Sequence, residues 1–230
     1  MTGRDLELVV FDWDGTLMDS QARIVASLHH AIAGSGLPQR SHGELRNIIG
    51  LGLREALLAL YPNLRPPQLQ ALTVAYRSQF LEVCSEPECL FEGARQVIET
   101  LRAQGLLLAI ATGKGRAGLD RALRHSGLHG YFHSSRCADE APSKPDPTML
   151  QELMAELGVE PAATLMVGDT EYDLAMARAA KAWPLAVAYG AHERRRLLPY
   201  APVAVLERIG DLPELLAKLS LGGAAQPPRG

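Results

Sequence analysis

The run Leu6-Glu7-Leu8-Val9-Val10-Phe11 stops abruptly at Asp12, and Trp13-Asp14-Gly15-Thr16-Leu17 follows at once. Five of the six residues before Asp12 are apolar and two are β-branched. A short apolar run cut off by charge and glycine is the pattern of a strand buried on both faces of a parallel sheet. Ligand sites in open α/β sheets lie just beyond the carboxyl ends of such strands. Asp12 and Asp14, two residues apart, point the same way in extended backbone, while Trp13 points into packing. Two carboxylates held together repel, and a divalent cation is the simplest remedy. An Asp-x-Asp by itself also fits a strand followed by an ordinary Asp-Gly turn. The remainder of the chain separates the two.

After Leu17 the period changes from strand to helix. Asp19-Ser20 can cap a helix over 21–33, with Ile24, Leu28 and Ile32 along one face. Helical stretches follow at 42–49, 53–60 and 66–84, separated by Gly50-Leu51-Gly52 and Pro62-Asn63. From Glu92-Gly93 onward helices and apolar runs alternate. Helices are expected at 93–104, 116–126, 147–157 and 174–180, with a closing one at 212–219. Strands are expected at Leu106–Ala111, Tyr131–Ser134, Thr164–Val167 and Leu185–Ala188, with Val203–Val205 as an edge. The expected fold is therefore α/β: a doubly wound, Rossmann-like parallel sheet carrying an inserted helical cap. Residues 1–17 and 87–221 form the core, 18–86 the four-helix cap, and 222–230 a Gly-, Ala- and Pro-rich tail that is expected to be disordered.

Each strand end delivers a different polar group. The first gives Asp12 and Asp14. The second gives Thr112-Gly113-Lys114, where a hydroxyl and turn N–H groups suit an anion, although Thr112 also fits a helix cap. Ser143-Lys144-Pro145 follows the third, its lysine kept out of helix by the proline. The fourth gives Gly168-Asp169-Thr170-Glu171-Tyr172-Asp173, where one acid also suits the helix dipole. Together these are hard oxygen ligands for Mg²⁺ and a hydroxyl, N–H groups and an ammonium for phosphate oxygens.

Nothing else competes. A net charge of −3 offers no basic surface for nucleic acid or an anionic membrane. No segment has the roughly 20 apolar residues of a membrane helix. Asp5 and Glu7 precede a run too short for a signal peptide, so a cytoplasmic location is expected. Cys84, Cys89 and Cys137 read as reduced thiols rather than a disulfide framework or zinc site.

The segments around Asp12, Thr112, Lys144 and Asp169, in that order, resemble the four motifs of the haloacid dehalogenase-like hydrolases. The resemblance spans about residues 6–220 and is nearest the helical-cap branch close to phosphoglycolate phosphatases. Ala180-Lys181-Ala182 departs from it, since relatives often have Ala-Gly there. The resemblance implies a phosphatase acting on a small phosphorylated molecule. Asp12 would be the nucleophile and Asp14 the general acid and base. Asp12, the main-chain carbonyl of Asp14, and Asp169 would hold Mg²⁺. Thr112, Gly113 and Lys144 would bind the phosphoryl group, and Asp173 would orient Lys144 or a metal-bound water. Asp14 argues against a carbon–halogen hydrolase, which lacks an acid there. A β-phosphoglucomutase-type phosphomutase keeps all four motifs and stays open. A phosphorylatable receiver-type module fits less well, being much shorter and without a cap. Within the cap, Gly50 and Gly52 are expected to bring a loop to the site, with Arg46 and Arg54 adding charge for the substrate. His192 too could face the substrate, but it, Arg46 and Arg54 also fit solvated surface, and Arg194-Arg195-Arg196 fits the exposed side of a short helix. A monomer is expected, with an oligomer left open.

Overall fold

The structure, a computed structural model, describes residues 6–82 and 89–221. Its centre is a six-stranded sheet, all parallel, in the order β3-β2-β1-β4-β5-β6. The strands are β1 (Leu8–Phe11), β2 (Leu107–Thr112), β3 (Ser134–Cys137), β4 (Thr164–Gly168), β5 (Trp183–Val187) and β6 (Val205–Leu206). Side chains alternate as a two-sided burial demands. Val9 and Phe11 join a core on one face, with Ile98, Leu108 and Leu185. Leu8 and Val10 join a second core on the other, with Met149, Leu153 and Met176.

The chain leaves β1 to build β2 and β3 on one side, then crosses to build β4 to β6 on the other. That reversal opens a crevice at the carboxyl ends of β1 and β4, the topological switch point where such sheets bind ligands. Register brings the two motifs to the same height, because Phe11 pairs with Val167 just before Asp12 and just before Gly168-Asp169.

Core helices α5 (Ala94–Ala103), α6 (Arg116–His125), α7 (Thr148–Leu157), α8 (Glu171–Ala179), α9 (Arg194–Leu197) and α10 (Leu212–Leu221) surround the sheet. The insert supplies α1 (Gln21–Ala33), α2 (His42–Asn47), α3 (Leu53–Leu60) and α4 (Pro66–Glu82), which bury an apolar cluster of their own, including Leu28, Ile32, Leu45, Leu57 and Leu72. Its two connections lie side by side. Asp19 N–H donates to the Cys89 carbonyl at 3.0 Å, and Phe91 N–H donates to the Leu17 carbonyl at 2.9 Å. Cys84, Pro87 and the tail 222–230 lie outside the described residues. Among the described residues no helix is long and apolar enough to cross a membrane, and Cys137 is a buried free thiol.

Two elements begin three residues from where they are expected, and smaller shifts occur at several other ends. The third strand is Ser134–Cys137 rather than Tyr131–Ser134. Phe132 instead packs edge-on against the buried Trp13, with ring centroids 6.5 Å apart. Helix α8 begins at Glu171, three residues early, because Thr170 and Asp173 form a reciprocal capping box. Ser20 occupies the N-cap position of α1, but its hydroxyl makes no cap hydrogen bond. In addition, Lys181 holds φ 61 in the left-handed region that glycine favours.

Candidate active site

Asp12, Asp169 and Asp173 converge above the switch point, one oxygen of each lying within 4.8 Å of the others, all three buried. Lys144 enters from the β3–α7 connection and is 1% exposed. Its ammonium donates to Asp12 Oδ1 at 2.7 Å and to Asp173 Oδ1 at 2.6 Å. Burial opposes the charge on Lys144, but the two carboxylates beside it prevail and hold it above its ordinary pKa. Three carboxylates remain set against one ammonium. Burial raises Asp12 well above the usual carboxylate range, Lys144 opposing and Asp173 and Asp169 adding to the rise. Burial, helped by the Asp173 charge, pushes Asp169 up to about 7.

The hydrogen bonds sort the three acids. Asp173 is fully used, since its Oδ2 accepts from Thr170 N–H at 3.0 Å and Thr170 Oγ1 at 2.7 Å. Asp169 is clamped by Thr16 Oγ1 at 2.9 Å on Oδ1 and by Ala191 N–H at 2.6 Å on Oδ2. Gly190 makes room for it, because a Cβ there would stand 2.0 Å from Asp169 Cβ. Asp12 Oδ2 is buried and has no partner. An orphan carboxylate oxygen within an uncompensated cluster of oxygen ligands fits a hard divalent cation. The donor set suits Mg²⁺.

Asp14 stands apart from the cluster and faces the cavity. Ser20 Oγ donates to its Oδ1 at 2.7 Å, and the Lys114 ammonium sits 3.0 Å from its Oδ2. Thr112 is buried, and its Oγ1 accepts from Lys114 N–H at 3.1 Å, so it braces its own turn rather than capping α6, whose N-cap is Gly115. Asp12, Asp14, Thr112, Gly113 and Lys114 form the polar floor of a cavity of about 420 Å³, roofed by the insert.

Gly50 and Leu51 line that cavity, and Gly52 N–H donates to Ser143 Oγ at 2.7 Å, so the loop expected to reach the site lies against it. The two arginines do not line the cavity. Arg54 is exposed, and Arg46 donates to the Gly190 carbonyl at 2.8 Å. His192 is not a solvated group either. It is 1% exposed, with Nδ1 accepting from Glu171 N–H at 3.1 Å and Nε2 3.0 Å from the Asn47 carbonyl. Burial lowers its pKa, favouring the neutral ring this arrangement needs. Asn47 also receives Tyr172 Oη at 3.1 Å on its carbonyl and Arg196 on its side chain. Arg196 in turn pairs with Glu171 at 2.6 Å, so only Arg194 and Arg195 of that run are exposed. The end of α2 is thus fastened to the core beside the site.

Sequence reasoning assigned no role to Thr16, Lys114, Gly190 or Asn47, and gave Ser20 only that of a helix cap. Lys114 was within reach as the last residue of Thr-Gly-Lys. Gly190 and Asn47 carry no local signal, since their partners are supplied by distant parts of the chain.

A parallel sheet with acids at its switch point, a buried lysine and a helical roof defines a hydrolase of the haloacid dehalogenase kind. The chain belongs to the haloacid dehalogenase-like hydrolase family, whose model matches residues 9–187. It is similar to the probable phosphatase IndB of Dickeya dadantii, 34% identical over 89% of this chain and 91% of that protein. It is 31% identical to phosphoglycolate phosphatase 1 of Pseudomonas aeruginosa over 89% of this chain and 78% of that one. A hydrolase from Pseudomonas syringae shares the fold with a TM-score of 0.86 at 24% identity, covering 94% of this chain and 99% of its own.

Proposed function

We propose that this hydrolase, a phosphatase of its family, cleaves small-molecule phosphate monoesters through an aspartyl-phosphate on Asp12. Mg²⁺ would be held by Asp12, Asp169 and the main chain at Asp14, and when bound it would offset the repulsion between an anionic nucleophile and an anionic phosphate. The observation that carries this reading is Asp12 itself: the residue stands at the cavity floor, with Oδ1 held by Lys144 and Oδ2 without a partner. A carboxylate needs no base to become a nucleophile. As the Asp12 oxygen bonds to phosphorus, the ester oxygen departs with its electron pair and takes a proton from Asp14. Asp14 then accepts a proton from the water that attacks phosphorus and frees Asp12. Ser20 and Lys114 keep Asp14 in one rotamer for both transfers. Lys144, with Thr112 and Gly113, would meet charge developing on the phosphoryl oxygens, and Asp173 would aim Lys144. Residues 18–86 would act as a cap over this floor, excluding water during transfer.

Phosphate release from a panel of monoesters with Mg²⁺ tests the reaction, and Asp14→Asn tests the proton transfer. The variant should lose roughly 10²–10⁴-fold in kcat on alkyl phosphates. Its loss on p-nitrophenyl phosphate, whose leaving group needs no proton, should be at least about tenfold smaller. Equal losses on both would remove Asp14 from the acid role.

The metal assignment has a reading independent of activity. Asp169 sits at about 7 when folded against 3.8 as a free carboxyl, so the folded chain keeps a proton that the unfolded chain releases. Without a cation its stability contribution is therefore greatest below about 4 and is lost as pH climbs to 7. Mg²⁺ replaces that proton. The rise in Tm on adding Mg²⁺ to chelator-treated protein should be small at pH 5 and grow towards pH 8. Phosphate release should vanish in chelator and return with Mg²⁺. Full turnover in excess chelator, or a Tm indifferent to Mg²⁺ at every pH, would rule the assignment out.

A further inference from the structure

The cavity over the catalytic floor has a character that the phosphate chemistry does not require. All four insert helices or their connections contribute apolar side chains to it, among them Leu28, Ile49, Leu53, Tyr76 and Phe80. Three cationic side chains line it. Lys114 is engaged by Asp14, while Arg77 and Arg121 are both exposed residues of the lining. Arg46 and Arg54, the cap arginines suited to a carboxylate, lie outside the lining. A short phosphorylated acid bound at the floor would turn its carboxylate towards leucine, isoleucine and aromatic carbon, and an unpaired charge there is strongly disfavoured. The volume of about 420 Å³ falls in the range of roughly 300–1,000 Å³ that accommodates drug-sized ligands.

We infer that the substrate is a phosphate monoester of an alcohol with an extended apolar body, aliphatic or aryl, and not a short phosphorylated acid. The phosphate rests on the floor, the body fills the chamber between α1, α3 and α4, and the far end reaches solvent beside Arg77 and Arg121. This names the substrate class of the site proposed above and rests on that reading for the turnover but not for the binding. The wall selects by burying carbon, so each methylene placed against it should raise specificity about fourfold, equivalent to ~0.8 kcal/mol.

Two series test the inference. The first is kcat/KM for n-alkyl phosphates from ethyl to octyl, whose leaving groups differ little in basicity, with phosphoglycolate alongside. The second is calorimetric Kd for n-alkylphosphonates from methyl to octyl with Mg²⁺, which needs no turnover. Both should climb about fourfold per methylene over the first carbons and then level as the chamber fills. Leu53→Asn, at a partly exposed wall position, should flatten both slopes, and Tyr76→Ser serves if the first variant lowers Tm. A flat or falling slope in both series overturns the apolar chamber. So does a preference of more than about tenfold for phosphoglycolate over octyl phosphate, and that result would leave the phosphatase reading intact. If the phosphonate slope holds while no monoester is hydrolysed, the chamber stands and the phosphatase reading falls.

Discussion

Asp12→Asn is expected to lower kcat by roughly 10³-fold or more while the protein remains folded, the scale on which loss of a nucleophile acts. The amide preserves the shape and leaves an oxygen for Lys144, but it cannot form the acyl phosphate. Stability should move the other way. Asp12 is buried beside two further carboxylates and is held well above the usual carboxylate range. A neutral isostere relieves that crowding, so in chelator the Tm of Asp12→Asn should equal or exceed that of the wild type. Steady-state phosphate release and a thermal melt in chelator decide the matter. A variant keeping a tenth of the wild-type kcat would end the aspartyl-phosphate mechanism. A large fall in Tm would mean that the three acids are not in conflict.

Lys144→Met should cost both activity and stability. The ammonium is the counter-charge that two buried carboxylates touch, at 2.7 and 2.6 Å. Removing one partner from a buried ion pair typically costs about 3–5 kcal/mol, because the charges left behind have no water to turn to. For a chain of this size that is roughly ten degrees or more in Tm. The folded-state pKa of Lys144 is raised above its free value. Its contribution is thus fully present at neutral pH and is lost only as pH rises through that raised value. In the methionine variant, Asp12, whose pKa burial already raises, should take up a proton. Its deficit relative to wild type should therefore shrink as pH falls from 8 to 5. A melt at each pH measures this, and a variant as stable as wild type at pH 8 would show that Lys144 is not what balances the acids.

The site's parts were legible in different degrees. Asp12, Thr112 and Asp169 stand at the ends of strands whose apolar runs are unmistakable, and a parallel sheet aligns such ends, while Lys144 follows β3, which has no such run. Asp173 was legible as a helix-start acid, but its bond to Lys144 depends on a lysine 29 residues away. Ser20 was misread because a serine before a helix is so often a cap, whereas here Asp14, six residues back, offers its hydroxyl an acceptor oxygen. By residue type His192 and Arg46 fit either the substrate or solvated surface, yet both are tied to main-chain carbonyls instead. Burial of a polar side chain depends on what partner arrives from elsewhere, and Asn47 and the Gly190 carbonyl arrive from across the molecule. The strand at Ser134–Cys137 escaped notice because three of its four side chains are polar and only partly buried. Backbone pairing with β2 makes it a strand, and no hydrophobic period announces that.

What the sequence alone determined is the sheet, the inserted helices and the order in which acid, hydroxyl, lysine and acid arrive at the strand ends. Those features follow from local period and local punctuation, which act over a few residues. The tertiary structure alone decided how three carboxylates share one ammonium, which oxygen of Asp12 stays free, and that the roof over it is carbon rather than charge. Each of these is a balance between groups brought together by the crossover at the switch point and by the packing of α2 onto α8. Electrostatics and burial at that range depend on distances that no stretch of sequence contains.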